Sequence, residues 1–305
     1  MKLTSRAAAI FCAMAILAPQ IRAQSGTNTH TAPANNTVKN HFLWTEEFDG
    51  STNGQGDFMS LDSTVGRVFT PHIGIDAGIP IDFSRNSVTN AVGKTSTRTS
   101  AAFGDAYLQL RLAFANRLLT YKTVATGAVP TGSKSDGFST GHATYDWTSR
   151  FEHGIGRWVP FAEAGVGNSI PVRFIFQRPF SSFGHVGHFQ AGTGYDIADW
   201  LSVSASAYDV APWGNQTIFS RVVGVGGAPV GSGGHGRVFQ TANQTAGGSS
   251  LSADNGFNSE ADVSFGSVMD FSAGYSHSVH FGLNTVSLGV GFNVSEILRR
   301  SRAGS

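Results

Sequence analysis

Asp76, Arg111, Lys122, Arg150 and Glu163 stand in stretches where apolar residues alternate with small or polar ones. Alternate side chains of a β-strand share a face, so all five point away from the apolar face. Each lies about five to eight residues from a short turn, which would bring them to similar heights on consecutive strands. A ring of both signs at one height can be a structural network that satisfies its own charges in a narrow interior. It can also form a constriction whose transverse field orients and screens a polar solute. Asp105, Tyr107, Gln109, His142, Asp146, His188 and Gln190 fall on the same polar face.

Other chemistries find less support. His185/His188 and His277/His280 are His-x-x-His pairs, but three residues along a strand point to opposite faces, so neither pair chelates one metal ion unaided. Gly165-Val166-Gly167 lacks the helix that a dinucleotide fingerprint requires. No cofactor is expected. A lipid-facing serine hydrolase would need an outward Ser–His pair. Ser149 is the one outward serine of the best-defined strands, and no histidine accompanies it. The chain is not expected to be an enzyme.

The elements that must position these residues follow one pattern. In His72 to Phe83, Ile73, Ile75, Ala77, Ile79, Ile81 and Phe83 alternate with Gly74, Asp76, Gly78, Pro80 and Asp82. That is strand periodicity at a length suited to crossing a bilayer, which takes roughly 9–11 tilted residues. The alternation recurs in 105–114 and 141–151, and return strands are predicted over 118–129 and 158–168. Further strands are predicted over 41–48 (weakly), 58–69, 183–195, 201–208, 257–264, 270–279 and 285–294. Polar loops are expected at 50–56, 84–100, 131–140 and 169–182. Tight turns near residues 71, 116, 155 and 198 alternate with these longer loops, as in outer-membrane barrels. Phe69, Phe114, Tyr121, Phe151, Trp158, Tyr195 and Trp200 flank the short turns and would form an aromatic girdle at a lipid interface. Pro80 should lie at a bulge or near the outer rim. Arg67, on the apolar face, should snorkel near its turn.

Composition agrees with a lipid-facing wall. Charged residues are 13% of the 305, against about 25% in soluble domains. No stretch outside the leader is long and apolar enough for a helical span. Lys2 and Arg6 followed by apolar Ala7 to Ala18 read as a signal peptide, with cleavage before Gln24. Its removal takes away Lys2, Arg6 and Arg22, leaving 18 basic against 20 acidic residues, so nucleic acid is not an expected partner. Cys12, the one cysteine, leaves with it, which excludes disulfides.

Thr126 to Trp147 carries Pro130-Thr131-Gly132 and Ser139-Thr140-Gly141. This stretch resembles the Pro-Thr-Gly loop and Gly-rich strand of outer-membrane transporters grouped under the meta-pathway of phenol degradation. The strand rhythm extends the similarity loosely over residues 57–294. The resemblance implies an outer-membrane barrel that carries a small solute, aromatic or hydrophobic ones among the candidates.

The expected fold is all-β: a transmembrane antiparallel up-and-down barrel of about twelve strands, with 10 or 14 as alternatives. Residues 1–23 would be the signal peptide and 24–40 a flexible periplasmic segment. The barrel would occupy 41–294 and a tail 295–305. The long loop 209–255 has a Gly-rich centre, Gly224 to Gly236, and two β-like pieces, QTIFSRVV and GRVFQTA; these should extend above the rim or fold over the mouth. The expected function is passive passage or uptake of a small solute across the cell outer membrane. The alternative is a structural or surface-interaction barrel without transport. Expected partners are outer-membrane lipid, lipopolysaccharide, the barrel-assembly machinery and the solute.

Overall fold

A computed structural model describes residues 41–89, 95–116, 119–170, 177–222, 239 and 242–303. The expected signal peptide and periplasmic segment lie outside the described residues, as does Gly224 to Gly236.

The first eight strands are β1 (His41–Asn53), β2 (Gly56–Thr70), β3 (Ile73–Thr89), β4 (Thr95–Phe103), β5 (Ala106–Ala115), β6 (Thr120–Val129), β7 (Thr144–Glu152) and β8 (Trp158–Gly167). The next eight are β9 (Phe180–Phe183), β10 (Val186–Ala198), β11 (Leu201–Pro212), β12 (Gln216–Ser220), β13 (Gln244–Gly247), β14 (Asp254–Phe265), β15 (Met269–Ser278) and β16 (Leu283–Asn293). All of them except β4, β9, β12 and β13 pair antiparallel with both neighbours, and β16 closes on β1 from Thr45↔Asn293 to Asn53↔Thr285. The wall is therefore a closed twelve-strand barrel, with β4 as one extra strand on β3. Closure pairs the backbone groups that an open edge would leave bare.

The alternation sorts the side chains. Ile73, Ile75, Ile79, Leu108, Leu110, Tyr145 and Trp147 are exposed on the outside, and Ile81 and Leu112 are partly exposed. Asp76, on the opposite face of β3, is 6% exposed. The aromatics by the short turns lie side by side: Phe114 stacks between His72 and Tyr121, Tyr121 meets Phe151 at 5.0 Å, and Trp158 meets Tyr195 at 4.8 Å. Phe69 and Trp200 are exposed at the same rim. Arg67 places its guanidinium 5.5 Å from the Phe69 ring centre. Ser149, also outward, meets the Tyr121 and Thr123 hydroxyls at 3.2 and 3.0 Å.

Several expected loops are strands. Within the expected loop 84–100, residues 84–89 continue β3 and pair with 95–100 of β4, because backbone pairing needs no apolar side chains. Residues 50–53 continue β1, and the turn shrinks to Gly54-Gln55, where the Asn53 side chain accepts the Gln55 N–H at 2.8 Å. Pro80 sits where β3 leaves β5, after Gly78↔Tyr107, and takes up β4, at Ile81↔Phe103. Its carbonyl accepts the Gly104 N–H at 2.9 Å, and its missing N–H falls at this change of partner.

Two further elements were not foreseen. The tail forms a helix, α1 (Val294–Ala303), started by Asn293, whose side chain accepts the Glu296 N–H at 3.0 Å. Glu296 in the first turn and Arg300 and Arg302 in the last complement the helix dipole. The long loops build a second sheet in which β12 lies between β9 and β13. β12 begins the expected piece QTIFSRVV. The other piece, GRVFQTA, falls mostly outside the described residues, and β13 lies just beyond it.

Placing a cation on the outer wall should be costly if hydrocarbon covers it. Leu110→Arg is expected to lower the unfolding free energy in lipid vesicles by about 2–4 kcal/mol, read from denaturant titration, whereas Leu110→Phe should be near neutral.

Candidate functional site

The five ionisable residues form two clusters rather than one ring. On β3 and β5, Arg111 grips Asp76 with two N–H groups, one of them Nη2 to Oδ1 at 2.8 Å. Gly66 and Gly74 leave the room: a Cβ on Gly66 would overlap the Asp76 carboxylate, and one on Gly74 would come within 3.2 Å of the Arg111 guanidinium.

On β6 to β8 and β10 the register sets Lys122, Arg150, Glu163 and Gln190 in one cross-strand row. The carboxylate that binds this row is Glu152, assigned from sequence to a turn. It accepts from Arg150 Nε at 2.6 Å and lies 3.0 Å from Lys122 Nζ, while Arg150 Nη1 is 3.5 Å from Glu163. The signal was present: Arg150 and Glu152 are two apart and share a face if β7 continues one turn-ward step. The Arg150 guanidinium also lies 3.7 Å from the centre of the inward Phe161 ring.

The other candidates have separate partners. Tyr107 donates to Asp62 and meets the Thr64 hydroxyl at 2.7 Å. Gln109 donates to Thr126 at 3.3 Å, and Gln190 to Ser206 at 2.7 Å. His188 Nε2 lies 2.8 Å from Asp146, and Gly165 beneath it gives the ring its space. His185 is exposed and stacks on Trp213, so the two histidines diverge. His277 meets Asn284 at 2.8 Å, and His280 packs on Phe281. His142 is not in the wall: it precedes β7, is exposed, and stacks on Phe183 at 4.5 Å. The glycine before it, Gly141, has φ +70° and ends the extended pattern there.

Asp105 lies in the link between β4 and β5 and accepts the Gly132 N–H at 3.0 Å. Thr131 accepts from the Ala106 N–H at 2.8 Å and donates to the Gly104 carbonyl at 3.0 Å. A Cβ on Gly132 would press on the Gly104 backbone at 2.9 Å. The Pro-Thr-Gly segment thus pins the β6–β7 loop to the β4–β5 link. Ser139 and Thr140 follow in the same loop, both buried.

Opposite these clusters the wall is acidic. Glu47 and Asp49 of β1, Glu260 and Asp262 of β14, and Asp270 of β15 fall on the inward face. Sequence alternation missed them because Ser, Thr, Gly and Asn occupy both faces of these strands.

The mouth is covered from inside the rim. Phe58 of β2, Phe180, Ile218, Val222 and Phe239 form a buried apolar cluster. Beside it Arg221 donates to the Gly137 carbonyl at 3.2 Å, Gln177 Oε1 at 3.0 Å and Ser181 Oγ at 3.3 Å, with Phe138 at 5.6 Å. One guanidinium therefore ties together three loops. Burial pulls Arg221 below its ordinary value, and the nearby Asp82 opposes that shift. Below lies a cavity of about 340 Å³ whose lining includes Asp76, Arg111, Arg150, Glu163 and Tyr107, with Phe138 to Thr140 also lining it.

Removing Glu152 should leave Lys122 and Arg150 short of an acceptor inside the barrel. Glu152→Gln is expected to destabilise the barrel by about 1–3 kcal/mol. In a double-mutant cycle, Lys122→Met should recover part of that loss.

No family model matches the sequence, and no curated protein matches it. Solved structures do resemble the fold. An outer-membrane channel from Pseudomonas putida F1 aligns over 88% of this chain and 99% of its own at 9% identity, with a TM-score of 0.53. A KdgM porin bound to disordered oligogalacturonate aligns over 82% of this chain and 98% of its own at 8% identity, TM-score 0.46. The Pseudomonas putida toluene transporter TodX aligns over 88% and 94% at 9% identity, TM-score 0.41. At such identities the first of these shows a shared fold: this chain is similar in architecture to an outer-membrane channel.

Proposed function

We propose that this chain is a channel of a bacterial outer membrane, giving a small solute passage through its barrel. The observation that carries this is the cavity of about 340 Å³ enclosed by a closed wall whose outside is apolar and whose inside is lined by paired charges. A volume of that order suits a small molecule. The short turns would face the periplasm and the longer loops the exterior, as is the habit of such barrels. Outer-membrane lipid, lipopolysaccharide and the assembly machinery are then its surroundings.

The solute class follows from the lining. Val124, Phe138 and Ile170 give apolar contact, and Tyr107 an aromatic ring with a polar tip. Among the described lining residues seven carboxylates face two arginines, so small cations and neutral aromatic solutes are favoured over anions. The Pro-Thr-Gly resemblance supports the aromatic side of this reading, because the same loop supplies Phe138, Ser139 and Thr140 to the cavity.

The packed mouth favours one second reading, a sealed barrel that serves as structure or as a surface for other molecules. Planar bilayers separate the two. The wild-type protein should show small, cation-preferring unitary steps. Arg221→Ala should release the loops and raise conductance severalfold. Arg111→Ala with Arg150→Ala should widen the path and move ion preference further toward cations. Silence in the wild type and in both variants would leave only the sealed barrel.

A further inference from the structure

α1 is unlike the rest of the chain: it is a helix continuing directly from β16 at the short-turn rim. On a helical projection Val294, Ile297, Leu298 and Ser301 share one stripe, with Glu296, Arg299 and Arg300 on the opposite side. The stripe is not used within the described structure, for Ile297 is 39% and Leu298 48% exposed. The opposite side holds the rim. Ser295 accepts the Trp44 N–H at 2.8 Å, and Arg300 donates to Ser267, in the β14–β15 turn, at 3.1 Å.

Two observations say what covers the stripe. It is continuous with the barrel's apolar exterior, because Phe292 precedes α1 on the outer face of β16 and Phe42 and Trp44 stand exposed on neighbouring β1. It is also flanked by cations: Arg299, Arg300 and Arg302 against the one carboxylate Glu296. A short helix with an apolar stripe, a basic side and a place at the edge of a lipid-facing wall matches an interfacial helix.

We propose that α1 lies in the headgroup layer of the adjacent leaflet, with Ile297 and Leu298 among acyl chains and Arg299 and Arg302 on anionic phospholipid phosphates. The helix would then fix the depth and tilt of the barrel at that rim. This rests on the membrane reading above, and the test separates the two. Spin labels are placed at Leu298→Cys, Arg299→Cys or, on the barrel wall, Leu110→Cys, each in a Cys12→Ser background. The full chain is folded into vesicles of phosphatidylcholine with or without roughly a third phosphatidylglycerol. The label at 298 should collide with oxygen more than with a water-soluble nickel chelate, and the label at 299 the reverse. Retention of phosphatidylglycerol after detergent extraction, read by native mass spectrometry, should fall about fivefold for each of Arg299→Gln and Arg302→Gln.

A water-exposed label at 298 beside a lipid-exposed label at 110 overturns the helix proposal and leaves the barrel in its membrane. Water exposure at both positions overturns the membrane reading itself. Burial of 298 with no difference between the two vesicle types overturns the phosphate contact. Burial of 298 only on self-association, seen as spin–spin broadening, assigns the stripe to a second copy and also overturns the proposal.

Discussion

A β wall that must keep its outer face apolar can satisfy its backbone in only one way: by closing. The pairing of β1 with β16 is therefore the contact on which everything else here depends. Once it is made, each of the twelve wall strands is paired on both sides, and the edges that remain belong to β4 and to the small sheet of the loops. The only places left for charge are the rims and the interior. The interior is narrow, so long side chains from one wall reach their neighbours, and most of the charged groups described there find partners on adjacent strands. The clusters at Asp76–Arg111 and Lys122–Arg150–Glu152–Glu163 are the result of this geometry before they are anything to do with a solute.

The mouth solves a different problem. Loops that enter a barrel bring backbone carbonyls away from water, and each needs a donor. Arg221 supplies one to the Gly137 carbonyl and donates also to the side chains of Gln177 and Ser181, which lets it hold segments from three loops. A buried guanidinium is expensive in an apolar medium even with a carboxylate, Asp82, in its neighbourhood. Hydrogen bonds to Gly137, Gln177 and Ser181 and the ring of Phe138 offset that cost. The cap thus joins an apolar cluster, Phe58, Phe180, Ile218, Val222 and Phe239, to polar contacts that water can replace.

Much of the wall was legible from residue type alone because strand alternation survives wherever large aliphatic residues mark the outer face, as in β3, β5 and β7. The inward placement of Asp76, Arg111 and Arg150 came from that signal. It faded in β1, β14 and β15, where Ser, Thr and Gly stand on both faces, and the acidic side of the lumen was lost with it. Polar composition misled in another way. The stretch 84–100 looked like a loop because it carries nothing to bury, yet backbone pairing needs no apolar side chain. Glu152 was lost to a boundary error of one strand-end residue. Of the small sheet, β12 was visible as the β-like start of QTIFSRVV, but its pairing with β9 and β13 was not, since pairings between distant loops leave no periodic trace.

The partner exchange at Pro80 has a mechanical consequence. Between β3 and β5 the ladder runs only from Ile73 to Gly78, while the other edge of β3 stays paired with β2 from Thr70↔Ile73 up to Asp57↔Arg85. This is the shortest ladder of the hoop, with β7–β8 one pair longer, and above it the β3–β4 hairpin stays joined to the wall where β3 pairs with β2. A closed ring under tension parts where its weld is shortest. Breathing of the cylinder, and its first rupture when pulled apart, would favour this line and the β7–β8 ladder over the long weld between β1 and β2.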